Sequence, residues 1–152
     1  MIHVVNKGKE GEREVVRMLN AELTRVCEQL NLPPAEREIV MQLAQRNQNQ
    51  SAVGGGDIDL LGISFEVKRQ ETISVDKWWE QCCKSARRNG DIPVLIYRQN
   101  RKAWHVVMNG FLPVGVGTST MGARVTITLD TFLSWFCNYA TKQITNGNYT
   151  RV

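Results

Sequence analysis

The segment Asp57-Ile58-Asp59-Leu60-Leu61-Gly62-Ile63-Ser64-Phe65-Glu66-Val67-Lys68 constrains this chain most. Apolar and polar side chains alternate on both sides of a glycine, the period of two that a strand with one buried face requires. Gly62-Ile63 suits the central pair of a type II′ hairpin turn, which takes glycine first. That turn sets Leu60 opposite Phe65 and Ile58 opposite Val67. Those four apolar side chains share the core face, while Asp57, Asp59, Glu66 and Lys68 share the other, with Asp59 opposite Glu66 and Asp57 opposite Lys68. Carboxylates within about 5 Å of one another repel unless a cation or protons compensate them. A hard ion such as Mg²⁺ suits such an oxygen-rich group, and a neighbouring lysine can steer a phosphate or a water. A solvated polar strand face is the competing reading, because E-x-K alone is common.

A helix from about Gly8 to Leu30 adds a second observation. Val15, Val16, Leu19, Leu23, Val26 and Leu30 follow helical spacing, and all fall within roughly 60° of Glu12 at about 100° per residue. Glu12 therefore points into the apolar stripe, whereas Glu10 and Glu14 point away. A carboxylate on a core-facing stripe needs a cation, a hydrogen-bond network or a wet cleft, although the positive end of the helix dipole also favours it there.

Asn31 and Pro33-Pro34 end that helix, and residues 35–46 fit either a helix or a strand. Asn47 to Gly56 reads as a polar loop. Ser74 suits the cap of a helix through Trp78-Trp79 to about Arg88, closed by Asn89-Gly90. A helical projection puts Trp79, Cys82, Cys83 and Ala86 on its packing side. Trp78 then shares a face with Gln81, where it could stack on a base or guard a cleft, although a core role is the commoner one for such a side chain. Strands are expected at Pro93–Tyr97, Ala103–Met108 and Arg124–Leu129, with a glycine-rich loop from Asn109 to Gly122. Asp130 would cap a last helix to about Lys142, and residues 143–152 would form a loose tail. The order of elements predicts one α/β (mixed α+β) domain over residues 1–152, a central mixed sheet flanked by helices.

Charge is distributed unevenly. Residues 84–102 carry Lys84, Arg87, Arg88, Arg98, Arg101 and Lys102 against Asp91 alone, a local net of +5, while the remaining residues net −1. Such concentration suits contact with phosphates, which reads nucleic-acid shape rather than sequence. Lys7, Lys9, Arg13 and Arg69 are further candidate contacts. The four cysteines, Cys27, Cys82, Cys83 and Cys137, form no C-x-x-C pair and are expected as reduced, packed thiols. No apolar run is long enough for a membrane helix and the first residues do not resemble a signal peptide, so a cytoplasmic protein is expected. His3 and His105 have no partner at a telling spacing.

Asp57, then eight residues, then Glu66-Val67-Lys68, preceded by Gly54-Gly55-Gly56, resembles the signature of the PD-(D/E)xK nuclease superfamily. Lys7-Gly8-Lys9-Glu10-Gly11-Glu12-Arg13-Glu14 resembles the K-G-x-x-x-E-R-E opening of archaeal-type Holliday-junction resolvases. Phage-encoded members of the superfamily are similar over Gly54 to Gln70 and at Trp79-x-Gln81. The resemblance implies a restriction-endonuclease-like fold and metal-dependent hydrolysis of DNA phosphodiesters, with Mg²⁺ or a substituting Mn²⁺. Carried over by position, it implies that Asp57, Glu66 and Glu12 bind metal, that Asp59 is an accessory, that Lys68 is the catalytic lysine and that Gln81 supports the site. Gly56 stands where the superfamily's name has proline. A four-way or otherwise branched DNA is the implied substrate, and a bacterial or phage-infected cell the implied setting. Symmetric cutting of a junction requires a twofold dimer. The aromatic last helix, with Phe132, Trp135, Phe136 and Tyr139, is either its interface or a cap on the sheet. A nicking, flap or restriction-type nuclease, or a non-catalytic DNA-binding module, are the alternatives.

Overall fold

A computed structural model describes residues 2–45 and 56–149, and the side chains from residue 8 onward. The elements are α1 (Ile2–Gln29), α2 (Pro34–Met41), β1 (Ile58–Leu60), β2 (Ile63–Arg69), α3 (Val75–Asn89), β3 (Ile92–Arg98), β4 (His105–Pro113), β5 (Thr120–Thr128) and α4 (Leu129–Thr145). The strands form one five-stranded sheet in sequence order. β2 and β3 are parallel and joined through α3, whereas the other neighbours are antiparallel. This is a mixed α/β, restriction-endonuclease-like arrangement.

Alternation along the strands divides the interior into two layers. Ile58, Leu60, Ile63, Phe65, Val67, Val94, Ile96 and Val106 pack with Val15, Leu19, Leu23 and Val26 of α1 and Phe132, Phe136 and Ala140 of α4. On the other face, Leu95 and Val107 meet Trp78 and Cys82 of α3. Trp78 is therefore a core residue, and α3 buries Trp78, Cys82 and Ala86 at successive four-residue steps. The aromatic face of α4 is a cap: Phe132 and Phe136 are fully buried, and Trp135 and Tyr139 pack at their margin.

The hairpin turn lies one residue earlier than the sequence suggests. Leu61 and Gly62 both have positive φ, 52° and 79°, the pattern of a type I′ turn. A leucine is an uncommon occupant of that conformation. The carbonyl of Leu61 accepts a 2.7 Å hydrogen bond from the Tyr139 hydroxyl, and that of Gly62 a 2.8 Å bond from the Ile92 amide. Those contacts fix the turn from outside the hairpin. The register becomes Leu60↔Ile63, Asp59↔Ser64 and Ile58↔Phe65. A slip of two keeps every side chain on its expected face but changes which residues are neighbours.

Three boundaries also differ from expectation. The glycine-rich stretch after Asn109 is mostly strand, with Phe111 opposite Gly122 and Leu112 opposite Met121 in a long β4–β5 ribbon. Thr128 rather than Asp130 caps α4, its Oγ1 accepting from the Thr131 amide. The tail expected from residue 143 starts later, since α4 reaches Thr145 and Tyr149 packs against the core. Residues 35–41, left open by their sequence, are helical. The expected loop at 47–55, including Gly54 and Gly55, lies outside the described residues. Among the described residues, no helix is long and apolar enough to cross a membrane.

Candidate active site

Asp57 and Glu66 are brought together by the turn. Continuing the observed register one step beyond β1 sets Asp57 beside Glu66, where the expected register had placed Asp59. The Asp57 amide donates to the Phe65 carbonyl at 2.8 Å, and its Oδ2 accepts from the Val67 amide at 2.7 Å. Backbone and side chain thus both bind β2. A Cβ on Gly56 would collide with the Phe65 carbonyl oxygen and lie 2.7 Å from Ser64 Oγ, so the chain enters this position without a side chain. That close approach excludes the proline of the superfamily's name.

Both carboxyls are withdrawn from water, Asp57 to 7% and Glu66 to 3% exposure. Burial, and next the charge of Asp57, push the Glu66 carboxyl up to about 8; Lys68 opposes the shift, while a hydrogen bond to Asp57 and the charge of Glu12 add to it. Lys68 Nζ lies 4.0 Å from Glu66 Oε2. The pair therefore carries more negative charge than its surroundings neutralise, the condition under which a proton or a cation is taken up. Among the described residues, no three His, Cys, Asp or Glu side chains converge on one point as a ready-made cage. A Mg²⁺ ion does not demand one, since it keeps several waters and commonly takes one or two carboxylates together with substrate phosphate oxygens.

Glu12 reaches this neighbourhood from α1 and is half-buried at the edge of the apolar stripe. Gly11 permits the approach: a Cβ there would meet Arg69 Cβ at 3.3 Å, and Trp104 Cη2 and Val67 Cγ1 at 3.6 Å. Glu10 and Glu14, expected to point away, bind the same end of the sheet. Glu10 Oε2 lies 3.5 Å from Arg69 Nη1, and Glu14 Oε2 lies 3.3 Å from Arg98 Nη2. Trp104 Nε1 donates to Glu14 Oε1 at 3.1 Å, and the Arg98 guanidinium stacks 5.0 Å over the Trp104 ring. Neither Trp104 nor this use of Glu14 is legible in the sequence beyond the four-residue spacing of Glu10 and Glu14 on one helical face.

The other candidates separate by environment. Asp59, opposite Ser64, accepts a long 3.4 Å bond from the Gly56 amide and braces the chain before Asp57. Gln81 is exposed on α3. Arg69 and Arg98 are held in ion pairs, whereas Lys9, Arg13, Lys84, Arg87, Arg88, Arg101 and Lys102 have exposed side chains. The Lys7 side chain lies outside those described. Cys82, buried beneath the site, donates weakly to the Ser64 carbonyl at 3.9 Å, and burial raises its thiol far out of the reactive range. The four thiols are free.

A mixed sheet with a helix crossing to its third strand, and an Asp–Glu pair and lysine on its hairpin, defines a nuclease of the PD-(D/E)xK type. A family model described as "Phage putative PDDEXK endonuclease" matches residues 3–114, and the chain belongs to that family. No curated protein matches the chain. Nucleases of this type generally use divalent metal ions and act on DNA.

Proposed function

We propose that this chain is a Mg²⁺-dependent endonuclease that cuts branched DNA, most specifically four-way junctions, as a cytoplasmic homodimer in a phage-infected or bacterial cell. The observation that carries the metal assignment is the buried Asp57–Glu66 pair, whose joint ionisation requires a cation. Asp57 and Glu66 would hold the ion, with Glu12 contributing from α1; Mn²⁺ fits the same oxygen donors. When bound, such an ion polarises a scissile phosphate and lowers the pKa of a water. Asp57 is held for this by the Val67 amide, so its carboxylate is fixed before any ligand arrives. Lys68 presents a cation beside Glu66, where it can contact the attacked phosphate or orient the water. Lys9, Arg13, Lys84, Arg87, Arg88, Arg101 and Lys102 would contact the DNA backbone. The preference for junctions rests on the resemblance of residues 7–14 to the opening of junction resolvases.

The test is cleavage of a labelled four-way junction beside matched linear duplex, with Mg²⁺ or EDTA, by wild type and Glu66→Ala. Symmetric Mg²⁺-dependent nicks in the junction alone, lost in the variant, support the whole reading. Cutting of both substrates retains the nuclease and rejects the junction preference. Binding with no cutting under any divalent ion rejects the active-site assignment.

A further inference from the structure

The β4–β5 ribbon runs past the sheet. β3 pairs with β4 only from Tyr97↔His105 to Val94↔Met108, whereas β4 and β5 remain paired out to Pro113↔Thr120. Beyond Met108 the ribbon therefore projects from the end at which β2 and β3 begin, opposite the end that carries Lys68. Phe111 is 78% exposed, and Leu112, Val114, Val116 and Met121 are exposed with it. By register, Leu112 and Met121 occupy one face and Phe111 the other. Both faces of the arm are thus apolar and uncovered.

Composition identifies the kind of partner. From Val106 to Thr128 the chain has a single charged residue, Arg124, which is held 2.8 Å from Asp76. A surface that grips DNA needs lysines and arginines, and this one has almost none. Depletion of charge with exposed Phe and Met is the composition of a protein interface core. β5 is also the terminal strand of the sheet, nine residues long and without proline or lysine. Such an edge is a template for another strand unless it is protected. Its one charge, Arg124, is already paired with Asp76 and so does not select a charged partner, and antiparallel pairing of a strand with its own copy is self-complementary about a twofold axis. Five large exposed side chains per chain, with Phe alone holding on the order of 150 Å², plus the backbone edge, approach the roughly 800 Å² per partner of a stable interface.

We infer that this ribbon is where a second copy of the chain docks, β5 against β5 of the partner, leaving the Asp57–Glu66 ends of both copies open. This names a surface for the dimer proposed above, yet it is read without DNA or metal, so its failure is distinct from failure of the nuclease assignment. The test is sedimentation velocity and light scattering of the whole chain over a concentration series. Three variants accompany it: Phe111→Lys with Met121→Lys, Val114→Lys with Val116→Lys, and Glu80→Lys as an exposed control on α3. All sites are exposed, so circular dichroism should remain that of the wild type. The expected result is a species of twice the 17.3 kDa chain mass for wild type and control. Both ribbon variants should dissociate at least about tenfold more readily. Amide exchange across Thr120–Thr128 should slow as the dimer forms. A wild type that stays monomeric at every concentration, or a dimer unaffected by both ribbon variants, overturns the inference. So does a monomer whose ribbon variants lose affinity for branched DNA, which would make the ribbon a wedge.

Discussion

The Val67 amide donates a 2.7 Å hydrogen bond to Asp57 Oδ2, anchoring the aspartate on the strand that also carries Glu66. Asp57 is therefore both a structural acceptor and half of a repelling pair, and its variants separate the two roles. Asp57→Asn keeps an acceptor oxygen and removes a charge, so the metal-free protein should be at least as stable as wild type by urea unfolding. Asp57→Ala leaves the Val67 amide unsatisfied, and should lie about 1–3 kcal/mol below Asp57→Asn. Cleavage should fall by about 10²–10³-fold or more in both. An active Asp57→Asn would remove the residue from the site.

The raised carboxyl of Glu66 gives a pH signature. A folded-state value of about 8, above the ordinary 4.5, means the native chain binds this proton more tightly than the unfolded one. The stabilisation is fully present below pH 4.5 and is lost as pH rises through about 8. The metal-free protein should therefore melt lower at pH 8.5 than at pH 6, this group's contribution to stability falling by on the order of a few kcal/mol. Glu66→Gln should flatten that slope. Added Mg²⁺ should raise the melting temperature more at pH 8.5 than at pH 6, because the ion replaces the proton. Equal slopes for wild type and Glu66→Gln would contradict the pairing with Asp57.

Gly11 and Gly56 define two close approaches. Gly11→Val would force a branched side chain against Arg69, Trp104 and Val67, and should destabilise the protein by about 1–3 kcal/mol while moving Glu12. Gly56→Pro, which restores the proline of the superfamily's name, should be at least as damaging, because the Phe65 carbonyl occupies the space. Thermal unfolding of the two variants checks both. A Gly56→Pro protein of wild-type stability would mean the chain enters the site by another path.

Trp104→Phe keeps a ring beneath Arg98 but cannot donate to Glu14, and should cost about 0.5–1.5 kcal/mol in urea unfolding. A Trp104→Phe protein as stable as wild type would instead mean that ring packing alone matters.

Exposed and paired cations should differ in DNA binding. Replacing Lys84, Arg87 and Arg88 together by glutamine should weaken binding to any DNA and lower the salt slope by about 0.9 for each phosphate no longer neutralised. Arg98→Gln should act mainly on stability through Glu14. Unchanged salt dependence in the triple variant would place the DNA elsewhere.

Much of this arrangement was legible in the chain itself. Alternation from Ile58 to Val67 identified the core face of the hairpin, the helical stripe with Glu12 on it identified α1, and Ser74 and Gly90 bounded α3. These follow from periodicities of two and 3.6 and from local turn chemistry, which adjacent residues determine. The pairing of Asp57 with Glu66 was decided elsewhere. Tyr139 and Ile92, distant in sequence, hold the carbonyls of the Leu61-Gly62 turn and select a register two residues from the one its glycine suggests. Both registers bury the same side chains, so the hydrophobic pattern could not choose between them. Trp78 turned inward because the sheet supplied Leu95, Tyr97 and Val107 to receive it. Gly110 and Gly122 became strand because β4 and β5 pair with each other. What the sequence by itself determined is the apolar core face of the hairpin and of α1; which charged groups become neighbours was decided by contacts between elements far apart in the chain.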